Sequence, residues 1–151
     1  MMTSIAATLE TLINEYLSKL NFVTEDEFAY KPSPTKWSKK ELMGHLIDSA
    51  QSNLRRFVVA QYEESPTINY NQDKWVTINN YQHWDAKDLI QLWYLVNRQI
   101  VFVFKNTSEE MCQRICISSA SYTIEWLGQD YIKHLKHHIH QVLNLEPVAY
   151  P

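Results

Sequence analysis

Apolar residues recur every third or fourth position in four separate stretches of this sequence, a pattern that buries one side of a chain only when the chain is helical. The first stretch, residues 3–20, carries Ile5, Leu9, Leu12, Ile13, Tyr16, Leu17 and Leu20. The second opens at Ser38, after the interruption KPSPTKWS, and runs to about residue 62 through Leu42, Met43, Leu46, Ile47, Ala50, Leu54, Phe57 and Val58. Ser38 with Glu41 three residues on predicts a capping box, which satisfies N–H groups orphaned at a helix start. The third follows Asp85, an N-cap residue, and carries Leu89, Leu92, Trp93, Leu95, Val96, Ile100, Val101 and Phe104. The fourth begins near Thr123 and reaches Leu143, ahead of Pro147. Four such helices in 151 residues cannot each bury a face unless they pack together, so the expected fold is an all-α four-helix bundle forming one domain over residues 1–151. The connection over residues 63–83 shows no helical period, and a second runs through Ser121; both are long enough for crossovers.

Composition supports helices, because two glycines and five prolines leave little material for a turn-rich β fold. A net charge of -3 without any Lys/Arg run excludes the basic surface that nucleic acid requires. The opening MMTSIAATLETLINEYL has no basic leader, and no apolar run is long enough to cross a bilayer, so the expectation is a soluble, cytoplasmic protein with no membrane partner. Cys112 and Cys116 are too few for a disulfide framework and, four apart on a helix, read as packing residues or free thiols. Tyr70, Trp75 and Tyr81 in the 63–83 connection, with Trp84 just after it, read as caps on the core, a substrate cleft being the alternative.

The segment YIKHLKHHIH puts His134 and His138 four residues apart, on one face and about a turn from each other. At roughly 100° per residue, the apolar face of this helix centres between Tyr131 and Val142, with His138 on its edge and His134 beside it. His137 falls outside that sector and His140 lies nearly opposite, so both read as solvated or supporting residues. No glutamate follows His134, so zinc-protease chemistry is not implied. His45 lies off the apolar stripe of its helix, on a flank shared with Asp48, Ser49 and Ser52. Periodicity does not nominate it; only a polar cleft between the second and fourth helices makes it a ligand.

Trp37, Ser38, Gly44, His45 and Asp48 in the second helix, with His134, His137, His138 and Gln141 in the fourth, resemble the DinB-like superfamily. The segment YNQDKWVTINNY with Trp93 and Asn97 resembles its bacterial branch, so the likeness covers most of the chain. The resemblance implies a bundle with crossover connections in which His45, His134 and His138 hold one divalent metal ion, and it extends to a homodimer. Imidazole accepts several metals; zinc is the first choice and nickel the second. Three imidazoles leave a coordination position open, as catalytic sites do. Several relatives transfer low-molecular-weight thiols, such as bacillithiol or mycothiol, to electrophiles, and thiol transfer to a small-molecule substrate is the leading expectation. The alternatives are hydrolysis by an activated water and a non-catalytic stress-response module. No general base is evident, and Asp48 and Asp130 are candidates for orienting imidazole N–H groups.

Overall fold

The computed structural model describes all of residues 1–151. In chain order it comprises α1 (Met2–Leu20), α2 (Glu25–Ala29), α3 (Lys39–Val59), α4 (Gln72–Asn79), a 3-10 turn (Tyr81–His83), α5 (Ala86–Asn106), α6 (Glu109–Cys112), β1 (Ile115–Ile117), β2 (Ser121–Thr123) and α7 (Ile124–Leu143). The long helices are α1, α3, α5 and α7. Helix α1 packs on α5 and α7, and α3 packs on the same two, so α1 and α3 stand across the bundle from each other. Successive long helices therefore cannot all be joined by tight hairpins, and the chain crosses over between them. The core between them includes Leu9 and Ile13 from α1, Met43, Ile47 and Phe57 from α3, Leu89, Trp93 and Phe104 from α5, and Leu135 and Ile139 from α7. None of these helices is long and apolar enough to cross a membrane.

The helix starts follow the sequence. Ser38 Oγ accepts from the Glu41 N–H at 3.2 Å, Asp85 accepts from Lys87 N–H at 2.8 Å, and Thr123 from Trp126 N–H at 3.1 Å. The expected box at Ser38 is half formed, because the Glu41 carboxylate turns to Lys31 Nζ at 2.5 Å instead. The complete capping box is at Thr24, whose hydroxyl accepts from Glu27 N–H at 3.2 Å while the Glu27 carboxylate accepts from Thr24 N–H at 2.9 Å. It starts α2, whose one buried side chain is Phe28. Thr24→Ala should cost about 1 kcal/mol, read as a lower urea midpoint at unchanged slope.

The two long connections differ from expectation. Residues 63–83 contain α4 and the 3-10 turn; Asn71 caps α4, and only Val76 of that helix is buried, which is why no period shows. After α5 the chain forms α6 and an antiparallel hairpin that pairs Cys116 with Tyr122. Cys112 therefore ends a short helix and Cys116 lies on a strand, both buried and unbridged, rather than sharing a helix face. The connections are sewn to each other: Ile68 N–H reaches Ile117 O at 3.0 Å and Ile117 N–H reaches Pro66 O at 2.8 Å. Arg56 fastens the same seam, donating to Ile68 O and to Ser118 Oγ, both at 3.1 Å.

Candidate metal centre

Every residue from 43 to 50 of α3 is buried, polar ones included, because α5 and α7 cover one side of the helix and α4 with the 3-10 turn cover the other. His45 is 1% exposed as a result. It faces α7 across a polar seam, where His134 and His138, one turn apart, are half-buried. The ligating nitrogens of the three residues lie within 4.8 Å of one another. His45 Nε2 and His134 Nε2 are 3.1 Å apart, near the roughly 3.3 Å that separates two nitrogens sharing a tetrahedral zinc ion. The ring centroids of His138 lie 4.8 Å from His45 and 4.7 Å from His134.

The other ring nitrogens fix which atoms face the centre. His138 Nδ1–H donates to Gln141 Oε1 at 2.9 Å, and His134 Nδ1 meets Ser49 Oγ at 3.3 Å. Both Nδ1 atoms point outward to oxygen, which leaves the Nε2 lone pairs for a common ligand. His45 Nδ1 is buried without a partner, as is Asp48 Oδ2. Burial, followed by the proximity of the other imidazoles, depresses His45 to about 4 and His134 to about 3, and burial also lowers His138. The three are neutral at pH 7. Converging neutral nitrogens, two of them on imidazoles whose Nδ1 is already bonded to oxygen, fit a divalent cation.

Acid should unfold the metal-free protein through these groups. Between the usual imidazole value of 6.5 and folded values of about 4 and 3, the unfolded chain binds protons that His45 and His134 refuse. Their contribution is full above 6.5 and lost as the pH falls through that window. Asp48 acts in the opposite sense: burial raises it to about 6 against the lowering bond from Tyr81, so its contribution grows as the pH falls from about 6 towards 3.8. Two imidazoles outweigh one carboxyl. The urea midpoint should be lower at about pH 4.5 than at about pH 7.5.

The supporting residues depart from expectation. Neither candidate carboxylate bonds an imidazole. Asp130 accepts from Tyr150 OH at 2.8 Å, and Asp48 Oδ1 accepts from Tyr81 OH at 2.5 Å. His140 is half-buried with both ring nitrogens bonded: its Nδ1–H donates to Glu146 O at 2.7 Å and its Nε2 accepts from Tyr16 OH at 2.8 Å. His137 Nδ1–H donates to Val148 O at 2.5 Å. Among the loop aromatics, Tyr81 is buried and Trp84 packs on it at 5.2 Å, so both cap the core; the Trp75 ring meets Tyr70 at 6.0 Å and stays partly exposed. Trp37 lies 5.2 Å from the His45 ring and walls the site with carbon. Sequence reasoning left Ser49 and Tyr150 without a role. The polar flank of His45 marked Ser49, but nothing local marks Tyr150, whose place depends on the chain turning back after α7.

Helices crossing over around three converging imidazoles define a class of metal-binding bundle. The DinB superfamily profile matches residues 8–142, and the chain belongs to that superfamily. A protein of Oceanobacillus iheyensis inferred to be a metal-dependent hydrolase is 23% identical over 138 residues, covering 85% of this chain and 79% of that one. YfiT from Bacillus subtilis, inferred to be a metal-dependent hydrolase with an unusual four-helix bundle topology, superposes with a TM-score of 0.78 at 20% identity, over 92% of this chain and 84% of YfiT. A mycothiol-dependent maleylpyruvate isomerase, solved as a histidine-to-alanine variant, gives 0.79 at 12% identity, with 97% of this chain on 62% of the isomerase. These structural likenesses show the fold.

Proposed function

We propose that this protein is a metal-dependent enzyme that transfers a low-molecular-weight thiol to a small electrophile, with the ion held on His45, His134 and His138. The observation that carries the reading is the convergence of three neutral imidazoles with no fourth Cys, Asp, Glu or His in the group. Zinc is the first choice of metal and nickel the second, since imidazole suits both. A divalent ion in such a site supplies a Lewis acid that favours the deprotonated form of a thiol or a water in its open position.

The chain's own residues hold the ligands in place. Gln141 and Ser49 bind the outward nitrogens of His138 and His134, so the imidazoles present Nε2 without rearrangement. Trp37 keeps water from one side of His45. Asp48 Oδ2 and His45 Nδ1, both buried and without a partner, sit three residues apart on the same buried stretch of α3. Thiol use is supported by likeness to the mycothiol-dependent isomerase, and reduced, unbridged cysteines agree with a cytoplasmic setting. A second reading, hydrolysis by a water in the open position, is favoured by what is inferred of the Oceanobacillus protein and YfiT.

Tag-free protein should carry about one divalent ion per chain by mass spectrometry, as a three-histidine site does. The loaded protein is then mixed with bacillithiol, mycothiol or cysteine and 1-chloro-2,4-dinitrobenzene, and the conjugate is measured. Conjugate formation above the uncatalysed rate supports transfer. Cleavage of p-nitrophenyl esters without thiol, and no conjugate, supports hydrolysis; a loaded protein inert in both assays is a binding module.

A further inference from the structure

After α7 the backbone turns left-handed at Asn144 (φ 53°) and residues 145–151 run back along the helix. What holds them there is unusual in kind. Leu145 packs on the core, but Val148 and Tyr150 do not join it. Beyond Leu145 the segment is fastened by polar side chains of α7: His140 to Glu146 O at 2.7 Å, His137 to Val148 O at 2.5 Å, and Asp130 to Tyr150 OH at 2.8 Å. None of the three belongs to the group of converging imidazoles. The Tyr150 ring then stands with its centroid 5.2 Å from that of His134, at 72°, and 6.0 Å from that of His137.

A segment with little buried apolar area and few fastenings opens more readily than the core it lies on. Its last aromatic ring covers an imidazole that is itself only half-buried. We infer that Tyr150 is the wall of the metal site on the His134 side, and that residues 145–151 are a strap whose hold on Asp130, His137 and His140 sets how fast an ion or small ligand enters and leaves. This rests on the metal-binding reading above. It also gives a use to His137 and His140, which bind the strap and leave His134 and His138 free to serve the centre. Tyr150 is a positioning residue in this account, acting through His134 and through access.

The test is the transfer of Zn2+ from loaded protein to the chromogenic chelator 4-(2-pyridylazo)resorcinol. Tyr150→Ala should speed transfer about tenfold, the equivalent of one hydrogen bond and one aromatic edge contact, with a thermal midpoint near that of the wild type. Tyr150→Phe and Asp130→Ala remove the same hydrogen bond while keeping the ring, so each should give a smaller, similar acceleration. Their double variant should be no faster than the faster single one. His83→Ala, exposed and remote from the strap, should match the wild type. A transfer rate for Tyr150→Ala within twofold of wild type, with ion bound, would overturn the strap alone. A wild type that binds no Zn2+ would overturn the metal reading and the strap with it.

Discussion

Replacing His138 by alanine should strip the protein of most of its metal, from about one ion per chain to a small fraction of that, while His140→Ala should retain it. The two residues are two positions apart on α7 and both are imidazoles, so composition and net charge change equally. Their partners differ. His138 directs Nε2 to the centre shared with His45 and His134, whereas both nitrogens of His140 are taken by Glu146 O and Tyr16 OH. Loss of an outer partner to a ligand costs about 10- to 100-fold in affinity, and loss of the ligand itself should exceed that. His140→Ala should instead lower stability by about 1–2 kcal/mol, because it removes a bond between α7 and α1 and leaves the Tyr16 hydroxyl without its acceptor. Metal content by mass spectrometry and urea midpoints on both variants should thus move in opposite order. Equal metal loss in the two would place the ion elsewhere on α7.

The bundle and two of its three inward histidines could be read from periodicity, because α1, α5 and α7 each bury one side and expose another. His134 and His138 sit at the border of the α7 stripe, where a helical wheel puts them. His45 could not be read that way. Over residues 43–50 α3 is covered on all sides, so the Leu42, Leu46, Ala50 and Phe57 stripe is only part of its inward surface. A helix surrounded by neighbours carries no amphipathic signal, and only the resemblance of the Gly-His-Leu-Ile-Asp segment to a family pointed to His45, which the structure brings beside His134 and His138. The short elements were missed for a different reason. Helix α4 buries one side chain, and α6 and the hairpin are too brief for a period to repeat. Their positions are set by long-range bonds, such as Arg114 Nε to Ala60 O at 2.7 Å, that no local pattern reports. The strap belongs to the same category: periodicity leaves His137 and His140 as solvated or supporting residues, and their partners Val148 O, Glu146 O and Tyr16 OH lie outside the helix.

Gly44→Ala should be the most damaging single methyl in the molecule. A Cβ at residue 44 would lie 1.9 Å from Cδ2 and 2.2 Å from Cγ of the Tyr81 ring, far inside any contact real atoms make. The Tyr81 ring cannot step aside freely, since it is buried, packs against Trp84, and donates its hydroxyl to Asp48 Oδ1 at 2.5 Å. The flanking turn is anchored as well: Gln82 donates to Ala29 O at 2.7 Å and binds Ser38, and Lys40 reaches Trp84 O at 2.6 Å. Overpacking of a core by a methyl costs about 1–3 kcal/mol, and expulsion of the ring would add the loss of its burial and leave the Asp48 carboxylate without its donor, so about 4 kcal/mol is expected. The consequence reaches the metal centre, because Asp48 and His45 sit on the same turn of α3 and an unpaired buried carboxylate there would disturb the helix that carries the ligand. Shrinking the obstacle separates the two causes. Gly44→Ala/Tyr81→Ala should be more stable than Gly44→Ala, although Tyr81→Ala alone is destabilising, a sign reversal that only direct contact between the two positions produces. Urea denaturation of the four proteins measures the cycle; additive losses would mean that Gly44 is small for a reason other than the ring it receives.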